Sequence, residues 1–173
     1  MGLTLSSDKT YITYLSWERI RGPFNKDKIV IDLERDDGNK KPWSAFWGSP
    51  ENAKYGWKDY CDEYNYDAGY DFNNPIKWKL KEGSKIYEVD KDDVYGDRFA
   101  EFKKYVNMEY IAKYDYTSCH GIDFNKMAND GIVAMELLDS DIGHFCKNSF
   151  EWEFSTWSCE SIVVFDPSKI VFL

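Results

Sequence analysis

Glu160-Ser161-Ile162-Val163-Val164-Phe165-Asp166-Pro167 is the stretch on which the fold turns. Four consecutive apolar residues, 162–165, lie between a carboxylate and an Asp-Pro stop, and this pattern predicts a short, buried, central strand. A further apolar run, Ile170-Val171-Phe172, follows the proline. Upstream, Gly131-Ile132-Val133-Ala134-Met135 and Gly121-Ile122-Asp123 read as two more strands or sheet edges. Ile76, Trp78 and Leu80 alternate with lysines, and Ile86, Tyr87 and Val89 follow the turn Glu82-Gly83-Ser84. That spacing predicts two short strands paired antiparallel around the turn.

The first fifty residues supply three further strand candidates. Residues 9–17 are rich in β-branched and aromatic side chains, and residues 28–33 and 42–48 form shorter runs set off by Gly22-Pro23 and by Asp36-Asp37-Gly38-Asn39. Two segments carry helical periodicity instead. Ser49 as N-cap and Pro50 at the first helical position predict a helix over 50–64, with Ala53, Trp57 and Cys61 or Tyr60 on one face. In residues 98–113, Phe99, Phe102, Val106 and Tyr110 recur at the spacing of an amphipathic helix. Many short strands with two helices among them indicate a single α+β domain spanning 1–173, without repeats or linkers.

The chain has 173 residues and a formal net charge of −9. It needs neither disulfide nor metal to build a core, and its acidity argues against a broad grip on nucleic-acid phosphates. No apolar run approaches the ~20 residues that span a bilayer, and the N-terminus lacks a secretory pattern, so a cytoplasmic protein without a membrane partner is expected. Met1-Gly2 with Ser6 matches the loose myristoylation pattern but lacks a basic second signal. The four cysteines, at 61, 119, 146 and 159, are unpaired in spacing and are expected to be reduced. Cys119-His120 with His144 and Cys146 offers soft and imidazole ligands, but adjacent Cys-His chelates poorly, and no metal is expected.

Glu160 at the start of an apolar strand is the first candidate for chemistry, since a partly desolvated carboxylate can stabilise positive charge developing on a sugar carbon. The run from Glu160 to Ile170 resembles the C-terminal end of ADP-ribosyltransferase catalytic domains. Trp43-Ser44-Ala45-Phe46-Trp47-Gly48-Ser49-Pro50-Glu51, with Ala53 and Trp57, is similar to that family's middle motif, a strand feeding a helix. Residues 115–123, ending in Gly121-Ile122-Asp123, look like the strand placed ahead of the catalytic glutamate.

This resemblance implies two small, mostly antiparallel sheets with helices, NAD⁺ held in the cleft between them, and transfer of ADP-ribose to a macromolecule. Glu160 would be catalytic. Arg19 or Arg21, two of only four arginines, would hold the pyrophosphate; Ser44 and Ser49 stand where the family has a Ser-Thr-Ser sequence, and Ser49 would orient the ribose or nicotinamide. Phe46, Trp47 or Tyr55 would stack on the nicotinamide ring. The first strand has no His-Gly pair, which places the chain nearer the Arg-Ser-Glu branch. Ser158 stands where a Glu-x-Glu pair would begin, so the acceptor is open. The rival expectation is a non-enzymatic acidic binding protein, such as a phage-type inhibitor, a nucleic-acid mimic or an inactive transferase fold, covering a basic surface of a partner protein.

Overall fold

The computed structural model describes residues 2–15, 29, 31, 45–66, 69–91, 93, 96–105, 122–138 and 159–173. Among them are eight strands: β1 Gly2–Leu5, β2 Thr10–Thr13, β3 Phe46–Pro50, β4 Ile76–Leu80, β5 Lys85–Val89, β6 Ala134–Leu137, β7 Ser161–Val164 and β8 Ile170–Phe172. They hydrogen-bond in the order β1-β5-β6-β7-β3-β2-β4-β8, every neighbouring pair antiparallel except β5 with β6. The architecture is α+β.

Strand β7 lies inside this order, between β6 and β3, and all four of its residues are buried. Alternation sends its apolar residues both ways: Val163, followed by Phe165, joins a core with Met135, Leu137, Phe102, Phe124 and Met127. Ile162 and Val164 join a second core with Tyr11, Phe46, Trp78, Leu80 and Ile170. A strand apolar on both faces therefore divides a helix-covered core from one enclosed by the β2, β4 and β8 side. Each large apolar side chain buried this way contributes about 1.5–3 kcal/mol.

The two sheets implied by the resemblance are joined into one order because β3 serves both sides. Phe46, Trp47 and Gly48 pair with β7, and the next residues, Ser49 and Pro50, pair with β2. Gly48 sits at the changeover. A Cβ there would lie 2.8 Å from Trp78 Cζ2 and 3.0 Å from the Ile12 carbonyl oxygen, closer than side chains pack, so only glycine lets β3 approach the ring.

Residues 76–80 and 85–89 are strands, as expected, but they do not pair with each other. Strand β4 pairs with β2 and β8, whereas β5 pairs with β1 and β6. The reason is visible in their faces. Strand β4 has lysines 77 and 79 opposite Trp78 and Leu80, while β5 is apolar on both faces, with Ile86 in one core and Tyr87 and Val89 in the other. A hairpin would leave one apolar face of β5 beside the lysines. Gly83, at φ +75°, turns the chain instead toward β1, which carries no strand signal in the sequence analysis.

The first helix is shorter than its pattern suggests. Helix α1 is Trp57–Glu63, not 50–64, because Ser49 and Pro50 are still in β3. Its first residue is nevertheless served by Ser49, whose Oγ accepts the Trp57 backbone N–H at 3.1 Å across the intervening loop. Asp59 Oδ2 accepts the Gly56 N–H at 2.8 Å and fastens the same end. In the second segment a helix spans Phe99–Phe102 and a 3-10 turn Lys103–Tyr105; residues 106–113 lie outside the described set. Ile122 is buried in the first core, but Asp123 caps a helix that periodicity did not show, Phe124–Asn129, its Oδ1 accepting from the Lys126 N–H at 2.8 Å. Of the stretch 9–17, the described residues run to Leu15 and Thr10–Thr13 of them are strand, while residues 16 and 17 lie outside the described set; Ile29 and Ile31 pack against the second core.

Candidate functional site

The β3–β7 pairing brings the middle and C-terminal motifs together. Glu160 immediately precedes β7, and the loop after β3 folds over it: the Glu160 N–H donates to the Tyr55 carbonyl at 3.0 Å. In return Glu160 Oε1 accepts the backbone N–H groups of Lys54, at 3.1 Å, and Tyr55, at 3.3 Å. Oε2 takes no hydrogen bond among the described residues. One carboxylate oxygen is thus held by two amides while the other stays available to a ligand hydroxyl. Ser49 lies in β3 just before this loop, and Tyr55, half-buried, donates its hydroxyl to Glu63 of α1.

The remaining sequence candidates divide. Phe46 is only 7% exposed and packs edge-on to Trp78, with ring centroids 5.2 Å apart, and to Phe172. Its ring is part of the core, so a stacking role is left to Trp47 or Tyr55. Alternation along β3 turns Trp47 to the opposite face, where it is half-buried against the helix-covered core. Ser49 is buried and its hydroxyl already accepts the first N–H of α1, but it does so from β3, and the residue in the N-cap position of α1 is Gly56. Arg19, Arg21 and Ser44 lie outside the described residues, as do Cys119, His120, His144 and Cys146. Among the described residues no three His, Cys, Asp or Glu are placed to hold a metal. Nor is any helix among them long and apolar enough to cross a membrane. Cys61 and Cys159 are buried, and burial pushes the Cys61 thiol up to about 11, which keeps it protonated at neutral pH. Arg98, the one described arginine, pairs with Asp90 and Asp93 at the start of its helix.

A second acidic feature escaped the sequence reading. Glu136 is 0% exposed within β6, facing the second core, where Lys9 Nζ reaches Oε1 and the Tyr11 hydroxyl donates to Oε2 at 2.9 Å. Its register partner on β5 is Glu88. The signal was a carboxylate inside the apolar run 132–137. Burial raises the Glu136 carboxyl above the ordinary glutamate range, opposed by Lys9 and Tyr11, and Glu88 raises it further. A carboxyl raised in the fold binds its proton more tightly there than in the unfolded chain, so its contribution to stability is full below the unfolded carboxyl range and is lost as pH rises through the folded one. Glu136→Gln, which cannot ionise but still accepts from Tyr11, should therefore gain stability relative to the wild type between pH 4 and pH 7. Urea melts of both proteins at the two pH values check this; an unchanged difference would show that Lys9 and Tyr11 fully offset burial.

No protein-family model matches the chain, and no curated protein or solved structure matches it.

Proposed function

We propose that this chain transfers ADP-ribose from NAD⁺ to a macromolecular acceptor, with Glu160 as the catalytic carboxylate. The observation that carries the reading is the convergence of Glu160 with the Ser49–Tyr55 segment, about a hundred residues away in sequence, through three hydrogen bonds. Those are the two motifs whose resemblance to the transferase family suggested the activity, and in that family's chemistry they must meet at one ribose.

Each residue then has a task. Glu160 Oε2 accepts the nicotinamide-ribose hydroxyl and stabilises the positive charge that grows on the anomeric carbon. The carbon–nitrogen bond to nicotinamide breaks with its electron pair leaving on the ring; a lone pair of the acceptor forms the new bond, and the acceptor gives up a proton. The Lys54 and Tyr55 amides fix the carboxylate before substrate arrives, so little reorganisation accompanies the step. Arg19 or Arg21 would neutralise the pyrophosphate, and Trp47 or Tyr55 would flank the nicotinamide.

The test is turnover. Limiting protein incubated with NAD⁺ and an excess of cell lysate should release more nicotinamide than there is protein, and intact-mass spectra should show acceptors heavier by one ADP-ribose. Absence of nicotinamide release, together with a melting temperature that NAD⁺ leaves unchanged at millimolar concentration, would sink the reading.

A further inference from the structure

Strand β1 ends the sheet order, with β5 on one side and nothing paired on the other among the described residues. Its register fixes which groups face outward. The Ser6 N–H, one step past the Leu5–Lys85 pair, donates to the Ser84 carbonyl at 2.7 Å, so alternation turns the N–H and C=O of Gly2 and Thr4 toward β5 as well. Those of Leu3 and Leu5 point to the open edge. The same two residues carry the exposed side chains of the strand, Leu3 at 56% and Leu5 at 67%. They lie on the face that bears Tyr87, the register partner of Leu3 and a member of the helix-covered core.

An open edge is ordinarily blunted by a charge, a proline or a bulge. Gly2-Leu3-Thr4-Leu5 has neither charge nor proline, although the chain as a whole carries −9, and its register with β5 runs without a bulge. A charged occupant would find no counter-charge on this strand. An uncharged strand with leucines at alternate positions would find its match.

The strand is its own complement. Laid antiparallel on a second copy about a two-fold axis through Thr4, Leu3 stands opposite the second copy's Leu5, and Leu5 opposite its Leu3. Those are the residues whose backbone groups face outward, so the two pairs exchange four N–H···O bonds while the four leucine side chains meet on one face. Within β1 no other antiparallel register pairs both leucines. Thr4 falls opposite Thr4, where its Oγ1, buried without a hydrogen-bond partner, has an equivalent hydroxyl on the same face across a Cα separation of ~4.5 Å. We propose that β1 is a self-association edge that joins two copies of this chain into one continuous sheet. Four residues a side bury far less than the ~1,200 Å² at which standard interfaces begin, so the association is weak and reversible. It stands apart from NAD⁺ cleavage and holds whether or not Glu160 is catalytic.

Sedimentation equilibrium of the full chain from about 10 µM to ~1 mM, the range of weak complexes, should show a monomer–dimer equilibrium. Dimerisation should strengthen between ~0.1 M and ~1 M salt, because two chains of the same net charge repel less when screened. Leu5→Pro removes an outward N–H and leaves the bonds from β1 to β5 in place, and Leu5→Lys sets like charges close to the axis; each should weaken dimerisation about tenfold or more. Leu173→Lys, an equal charge change at a side chain that is also 67% exposed, should alter it less than about twofold. Under mild oxidation Thr4→Cys should form a disulfide-linked dimer beyond the wild-type level and Leu3→Cys should not, since only position 4 meets its own copy within disulfide reach. A chain that stays monomeric to ~1 mM overturns the proposal. So does Leu173→Lys weakening the dimer as much as Leu5→Lys, or Leu3→Cys cross-linking as readily as Thr4→Cys. A monomer that instead takes up an extended uncharged peptide, and loses it with Leu5→Pro, would overturn it in favour of a partner protein's strand.

Discussion

Glu160→Gln should lower the rate of nicotinamide release about 10²–10³-fold while leaving the fold intact, the loss typical when one group that stabilises transition-state charge is removed. The fold should survive because the glutamine carbonyl can still accept the Lys54 and Tyr55 amides that Oε1 accepts in the wild type. What glutamine lacks is the negative charge. Glu160→Ala removes both, so it should match the glutamine variant in activity but also lose about 1–2 kcal/mol of stability as the two loop amides lose their partner. The pair of variants separates catalysis from anchoring. Equal nicotinamide release by Glu160→Gln and the wild type, with circular dichroism unchanged, would show that the carboxylate serves only to pin the loop, and the transferase reading would lose its central residue.

Trp78→Ala should be the most damaging single core substitution, lowering stability by about 3–5 kcal/mol. Trp78 is 0% exposed and stands where the β2, β4 and β8 side meets β3. Tyr11 stacks on its ring at 4.8 Å, Phe46 meets it edge-on, and its Nε1–H donates to Thr13 Oγ1 at 2.9 Å. Gly48 exists in its present position to admit this ring. For a domain of this size the loss corresponds to a fall in melting temperature of roughly 6–20 °C. Trp78→Phe keeps most of the volume and gives up the hydrogen bond to Thr13, so it should cost clearly less. Urea unfolding of the three proteins checks both statements, and an alanine variant within about 1 kcal/mol of the wild type would mean that the second core does not close on this residue.

Local pattern in the sequence was sufficient for the α+β class, for the buried strand at 161–164, for strands at 76–80 and 85–89, and for Glu160 as a carboxylate set against an apolar strand. These are readable because side-chain alternation and helix spacing are properties of a few adjacent residues. Helix limits were less readable: Ser49 does serve the first N–H of α1, but from a strand eight residues earlier, and a capping signal cannot reveal a loop inserted between cap and helix. Partnership between strands was not readable at all. The turn at 82–84 looks like a hairpin, yet β4 and β5 go to different neighbours, because which faces must be covered depends on every strand present and not on the two that flank a turn. The same applies to the sites. Glu136 with Lys9 and Tyr11, and Glu160 with Lys54 and Tyr55, are pairings across more than a hundred residues of chain, and only the tertiary structure, by choosing the strand order, brings them within reach of one another.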